Sequence, residues 1–333
     1  MLADGNRPMN PLLVIDNLQV NFQARKGLMG SVTVKALDRV SLELNQGETV
    51  AVVGESGSGK TTLGRAILRL VKPTSGRILF RGENIDALKG SRLNKFRRSA
   101  QGVFQDPYSS MDPFMNISQI LEEPLIIHNI GNREDYRVII DKALGDVNLS
   151  PPRDISAKYP HMLSGGQRQR IGLARALILT PSLIVADEPV SMVDASSRAE
   201  ILYLMRSLQK SYGITFLYIT HDIATALHFS DRIAVMYGGK IVEVGPSPNV
   251  ISDPHHPYTK ALIKAIPNPD PTNRLRQRSI VSGEPASPID PPSGCRFHPR
   301  CPNMMTGICE MNNPQLIHIG TNHQVACYLW PEN

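Results

Sequence analysis

Thr49-Val50-Ala51-Val52-Val53-Gly54-Glu55-Ser56-Gly57-Ser58-Gly59-Lys60-Thr61-Thr62-Leu63 reads as a strand, a glycine-rich turn and the start of a helix. Thr49–Val53 is apolar without alternation, as a strand covered on both faces must be. Gly54 to Thr61 matches G-x-x-x-x-G-K-[ST] at every fixed position. Glycines at this spacing let backbone N–H groups turn inward and approach a polyanion, and the helix that follows adds its positive end. Lys60 would place a charge on the β- and γ-phosphates of a nucleotide. Thr61 would offer its hydroxyl to Mg²⁺, with Thr62 beside it.

Outward from this stretch, strand and helix patterns alternate. Leu12–Phe22 reads as a strand, and Val40, Leu42 and Leu44 alternate before the turn at Asn45–Gly47. Leu63–Leu70 reads as a helix ended by the Pro and Gly of Lys72–Gly76. Ile117–Ile127 and Tyr136–Leu149 are helical in pattern and suggest an inserted helical subdomain. Ile171–Leu179 and Arg198–Tyr212 read as helices, Leu183–Ala186 and Thr215–Thr220 as strands. The alternation predicts an α/β fold with a mostly parallel sheet covered on both faces. Past Gly245 proline becomes dense, which places a domain boundary near residue 250.

Leu183-Ile184-Val185-Ala186 ends in Asp187-Glu188. Neighbouring side chains on a strand face opposite ways, so the two carboxylates cannot share one task. Asp187 would hold Mg²⁺ through water; Glu188 can turn toward the γ-phosphate and polarise an attacking water. Further on, Leu163-Ser164-Gly165-Gly166-Gln167 puts a hydroxyl and two glycines at a helix start, a second place suited to an anion.

Leu163–Gln167 also resembles the signature of ATP-binding-cassette (ABC) proteins, and other elements follow in that family's order. Gln105, in Val103-Phe104-Gln105-Asp106, resembles the glutamine that senses Mg²⁺ and the attacking water. It opens a segment, to about Pro124, that faces membrane subunits in the family. Ser191-Met192-Val193-Asp194 resembles the loop that crosses between subunits, although the family more often has Ala-Leu at 192 and 193. His221 resembles the histidine at the γ-phosphate. Phe22 stands where an aromatic stacks on adenine, usually Tyr; a core phenylalanine is the competing reading.

The resemblance, over roughly Leu12–Gly245, implies the phosphate-loop NTPase ABC fold with a parallel sheet core, an antiparallel β edge and a helical subdomain at about 106–178. It implies a nucleotide-binding domain at 1–250, followed by a small irregular Cys-containing domain at 251–333. It further implies an ATPase working with Mg²⁺ as a head-to-tail dimer. Each ATP would lie between the Gly54–Thr62 loop of one chain and Ser164, Gly165, Gly166, Gln167 and Asp194 of the other.

Asp253-Pro254-His255-His256-Pro257-Tyr258-Thr259-Lys260-Ala261-Leu262 resembles the His-Pro-Tyr-Thr segment of dipeptide/oligopeptide permease ATPases. Ser282–Pro288 and Pro291–Cys301 continue that match. This implies import of di- or oligopeptides with a paralogous ATPase, two transmembrane permease subunits and an extracellular or periplasmic binding protein. The chain would then lie on the cytoplasmic face of the cell membrane. Relatives also import nickel chelates, glutathione or oligosaccharides, so cargo stays open. All four cysteines, Cys295, Cys301, Cys309 and Cys327, lie in the tail. Thiolates are soft ligands suited to an iron–sulfur cluster or to zinc, and this spacing matches no standard CxxC pattern. Zinc with His298 or His323 replacing one thiolate, or four inert thiols, are alternatives. The resemblance implies a four-iron four-sulfur cluster.

Composition bounds these readings. The 333 residues, 41% hydrophobic and 20% charged, have an ordinary globular balance. No apolar stretch reaches the ~18 residues of a membrane span, and Met1–Asn17 does not read as a secretory signal. The net charge of +6 includes a basic run from Lys60 to Arg98, which fits either a polyanion-attracting surface or a solvated face. A cassette acting directly on nucleic acid is the rival; the long coiled coils or second cassette of that class have no counterpart here. A catalytically dead partner would lack Lys60, Glu188 or His221, and all three are present.

Overall fold

The computed structural model describes residues 11–26, 30–106, 110–266 and 283–330. The reading of the extreme N-terminus, Ser282 and part of the segment after Gln105 lie outside them. Contacts divide the chain into two units. A loop-and-tail unit comprises Leu13–Glu43, Thr49–Gly82 and the chain from Tyr218 onward; a helical unit comprises Leu44–Glu48 and Glu83–Leu217, with residues 11–12.

The loop-and-tail unit begins with β1 (Pro11–Lys26), β2 (Gly30–Asn45), β3 (Thr49–Val53), α1 (Lys60–Ile67) and β4 (Ser75–Phe80). β2, β1 and β4 lie side by side in one sheet, with β1 and β4 antiparallel so that Leu13 faces Phe80 and Ile15 faces Ile78. All of β3 is buried.

The helical unit holds β5 (Glu83–Asn84), α2 (Gly90–Ser99), β6 (Ala100–Val103), α3 (Ile117–Ile127), α4 (Arg133–Asp146), α5 (Pro152–Ser156), α6 (Gly165–Leu177), β7 (Leu183–Asp187) and α7 (Ala195–Tyr212). β6 and β7 run parallel, from Ala100 beside Leu183 to Val103 beside Ala186. Three of its helices open with a capping box: Asn116 with Gln119, Asn132 with Asp135, and Ser164 with Gln167. These reciprocal bonds satisfy donors that a helix start otherwise leaves unpaired. They explain why α4 and α6 start earlier than the apolar pattern at Tyr136 and Ile171 predicts: the cap, not the first apolar residue, sets the boundary.

β8 (Thr215–Thr220) leaves the helical unit at Leu217 and enters the other at Tyr218. There follow α8 (Ile223–Phe229), β9 (Arg232–Tyr237), β10 (Lys240–Pro246), α9 (Ser247–Ser252), α10 (Pro257–Lys264), β11 (Ile317–Gly320) and β12 (His323–Val325). β3 and β9 are parallel, Val50 beside Arg232 through Val53 beside Val235. β10 turns back antiparallel to β9, and β12 pairs antiparallel with β10, Glu243 facing Val325. A parallel core with an antiparallel edge is thus present within this unit. The expected boundary near residue 250 falls inside it, because β12 returns from the far end of the chain to the edge at β10. Among the described residues no helix is long and apolar enough to cross a membrane.

Candidate functional site

The phosphate loop links β3 to α1. Gly59 caps α1 at φ 103° with no side-chain hydrogen bond, and a Cβ there would lie 2.5 Å from the Ala36 carbonyl oxygen. Both conditions admit only glycine. The Lys60 ammonium donates to the carbonyls of Gly54 and Glu55, each at 2.8 Å, and lies 3.5 Å from Ser58 Oγ. Lys60 and Ser58 are buried, whereas Ser56 and Gly57 form an exposed crown. Such a crown, with a cation bound beneath it, is an anion nest. Thr61 and Thr62 begin α1 just after Lys60. His221 directly follows β8 in this unit. Phe22, on β1, is 40% exposed, which decides against a core role and leaves its face open for stacking.

The helical unit carries the other predicted residues. Gln105 is exposed just past β6. Asp187, buried, ends β7, and Glu188 adopts φ 48°. That left-handed conformation is unusual for a glutamate and turns the chain out of the strand. Ser191 holds the turn, its N–H and hydroxyl donating to the Glu188 carbonyl at 3.2 and 3.0 Å. At the signature, Ser164 Oγ accepts from the Gln167 N–H at 3.2 Å, and Gln167 Oε1 accepts from the Ser164 N–H at 3.0 Å. Gly166 sits so close to α7 that a Cβ would lie 3.2 Å from Ser197 Oγ. Asp194 caps α7, accepting from Ser196 Oγ at 2.6 Å and from Ser197 N and Oγ at 2.9 Å. The Ser196 hydroxyl, then the Ser197 donors, hold its carboxyl well below the usual carboxylate range. The structure thus brings Ser164–Gln167 and Ser191–Asp194 together on one unit.

The tail gathers the four cysteines that the sequence singled out and adds a buried polar network that sequence patterning missed. Cys295, Cys301, Cys309 and Cys327 are unpaired thiols that line one small pocket, with His256, Phe297, His298 and Met305 also on its wall. Burial pushes Cys295 up to about 11 and raises Cys301 and Cys327 as well. Desolvated thiols that meet around one space form a donor set for a cationic, thiophilic centre, because such a centre supplies the positive charge that makes thiolates tolerable there. His323 is not on that wall; its Nε2 lies 2.9 Å from Glu243 Oε1. Glu243 is fully buried and accepts from the N–H groups of His255 and His256 at 2.8 and 2.9 Å. Burial opposes its ionisation, but the His323 bond and the further donors outweigh it and lower its pKa. Near the loop, Asp38 binds Arg296 at 2.7 Å and Lys240 at 3.2 Å. A lone acid inside an apolar strand run, Glu243 in Ile241-Val242-Glu243-Val244, was the available sequence signal for this network.

Comparison with known proteins agrees with this arrangement. Residues 37–191 match the ABC transporter family and residues 242–309 the oligopeptide/dipeptide transporter C-terminal region. YkfD of Bacillus subtilis (strain 168), whose name assigns it to oligopeptide transport, is 47% identical over 322 residues, 96% of each chain. The oligopeptide transport ATP-binding protein AppF of the same organism is 42% identical over 96% of this chain and 97% of its own. Among solved structures, cbiO1 of Clostridium perfringens, part of an ABC transporter complex, superposes with TM-score 0.63 at 29% identity over 73% of this chain and 92% of its own. The cassette MJ0796, solved as a dimer bound to ADP and phosphate, gives 0.62 at 30% identity over 71% of this chain and 98% of its own. The chain belongs to the ABC transporter family and is an ABC ATPase, of the branch that carries the oligopeptide/dipeptide C-terminal region.

Proposed function

We propose that the chain powers import of di- or oligopeptides by binding and hydrolysing ATP on the cytoplasmic face of the cell membrane. The observation that carries this reading is the joining, in one chain, of a complete phosphate loop to the peptide-transporter tail. The names of its relatives point to the same cargo. The two matched regions, 37–191 and 242–309, also support a nucleotide-binding domain at 1–250 followed by a tail module at 251–333.

In this reading two ATPase chains, this one and a paralogue, meet head to tail. Gly54–Thr62 of one chain and Ser164–Gln167 with Asp194 of the other enclose each ATP. Thr61, Gln105 and Asp187 hold Mg²⁺, Glu188 polarises the attacking water, His221 contacts the γ-phosphate, and Phe22 stacks on adenine. Two permease subunits dock on the segment from Gln105 to about Pro124; Phe114 there is 88% exposed, apolar surface that suits a partner. A separate binding protein delivers cargo.

The cysteine cavity suits a four-iron four-sulfur cluster held by Cys295, Cys301, Cys309 and Cys327. Among the described residues, the His/Cys/Asp/Glu group whose ligand atoms close to within 4.8 Å is Glu243, His255 and His323, not the cysteines. One tetrahedral Zn²⁺, with Zn–S of about 2.3 Å, would draw its thiolates into a tighter set than a larger centre would, which is why this reading favours the cluster. The cluster would act as a covalent staple for a proline-rich segment. Anaerobically purified chain is expected to absorb broadly in the visible and to contain iron; zinc without iron refutes the cluster. The function as a whole is tested by reconstituting the chain with its co-purifying membrane subunits in vesicles. ATP-dependent peptide uptake supports it. Uptake of nickel chelate or oligosaccharide but no peptide replaces the cargo, and a salt-sensitive DNA gel shift without membrane-stimulated turnover replaces the class.

A further inference from the structure

The His-Pro-Tyr segment and the cysteine-bearing segment converge on a single residue of the phosphate loop. His256 caps α10, its Nδ1 accepting the Tyr258 N–H at 3.0 Å, and Pro257 takes the first helical position. This sets Tyr258, fully buried, against Tyr237 and Phe297, with ring centroids at 4.6 and 5.4 Å. The Tyr258 hydroxyl accepts the Glu55 N–H at 2.9 Å. From the other segment, Arg300, adjacent to Cys301, donates to the Glu55 carboxylate at 3.0 Å and to the Tyr237 hydroxyl at 3.2 Å.

The consequence follows from peptide geometry. The Glu55 N–H and the Gly54 C=O belong to one planar trans unit and point in opposite directions. A hydroxyl that holds the N–H therefore aims the carbonyl, and that carbonyl receives Lys60 Nζ at 2.8 Å. The Glu55 carbonyl at the next peptide accepts both Lys60 Nζ at 2.8 Å and the Ser58 N–H at 3.2 Å. Ser56 and Gly57, which follow, are exposed, and a Cβ placed on Gly57 would meet nothing within 4 Å. The shape of the crown depends on how its first residue is held, since every backbone residue left free must be ordered at an entropic cost when a ligand binds.

We propose that Tyr258 and Arg300 are positioning residues for nucleotide binding: the tail clamps Glu55, and through it the phosphate loop and Lys60. Resting on the nucleotide-binding reading, this gives the His-Pro-Tyr segment a task within the ATPase site that is separate from cargo. Tyr258→Phe keeps the ring and deletes only the hydroxyl, and Arg300→Gln deletes the charge. Losing one hydrogen bond or ion pair of this kind corresponds to a change of about three- to tenfold.

The test uses the full chain, at a temperature where circular dichroism shows every variant folded, with MgATP as the probe. Tyr258→Phe and Arg300→Gln are each expected to raise the MgATP Kd by about three- to tenfold. Exchange of the Glu55 amide hydrogen should accelerate in Tyr258→Phe, and Arg300→Lys should recover part of the affinity lost in Arg300→Gln. Kd values within about twofold of the parent in both variants overturn the clamp, and a lysine variant as weak as glutamine overturns the Arg300 arm. Should Tyr258→Phe not fold, Glu55→Gln replaces it and must match Arg300→Gln. A parent chain that fails to bind MgATP strikes the nucleotide reading itself, a result distinct from either.

Discussion

The starts of α1 and α6 both suit a polyanion, yet they are built on opposite plans. α1 opens on Gly59 in the left-handed region with no side-chain cap, so no capping side chain stands between its first turn and a ligand. α6 opens on Ser164, whose capping box with Gln167 already satisfies donors at the helix start. The first is a site that needs outside support, supplied within its own unit by Lys60, Tyr258 and Arg300. The second is self-sufficient and can stand exposed until a ligand borne by another surface reaches it. Under the proposed function, the difference makes the phosphate loop the primary anchor for the nucleotide and the signature a partner recruited at closure.

The largest effect expected from this contrast is at Lys60. Lys60→Ala removes the buried cation, and MgATP affinity of the isolated chain should fall by about 100-fold or more, measured by calorimetry. Next is Glu188→Gln, which should slow phosphate release by about 10²–10⁴-fold while MgATP binding persists. Gel filtration should then show a longer-lived ATP-bound dimer, and unchanged turnover would remove Glu188 from its role. Ser164→Ala sharpens the comparison most directly. It should lower turnover of the paired assembly by about tenfold and leave MgATP affinity of the single chain as it was. An equal loss in the single chain would mean that the two helix starts are not distinct in kind. The same change should lower stability by ~1 kcal/mol, read from chemical unfolding.

The smallest effect is pH-dependent and concerns the clamp. Burial lowers His256 from its ordinary value to about 4, and its neutral Nδ1 is the cap of α10. Its folded pKa is depressed, so between about 6.5 and 4 the unfolded chain binds the extra proton. Stability from this group is therefore complete above about pH 6.5 and lost progressively as pH falls toward 4. Melting followed at pH 7.5, 6 and 5 should show the decline, and His256→Asn, which keeps a capping oxygen, should flatten it.

Much of this was legible without coordinates. Thr49–Val53 and Thr215–Thr220 are strands to the residue because continuous burial needs uninterrupted apolar chemistry. Asp187 and Glu188 were expected to diverge, and the φ of 48° at Glu188 adds a turn to the pleat that separates them. Ser164 was expected to open a helix and does so. The start of α4 was misplaced at Tyr136 because a polar cap, Asn132, and not the first apolar residue, begins the helix. The cysteines could be counted as a soft donor set but not shown to share a cavity, since nothing local relates Cys327 to Cys295.

By itself, then, the amino-acid order determined whatever depends on neighbours: the glycine geometry of the loop, the acid at the end of β7, and the hydroxyl at the head of α6. Only tertiary structure decided that Tyr258 and Arg300, 203 and 245 residues from Glu55, take hold of it. Backbone conformation and capping are set by a few bonds of covalent reach. Contacts across such separations exist only once β9, β10 and β12 have paired, and that pairing is a property of the whole sheet, not of any segment.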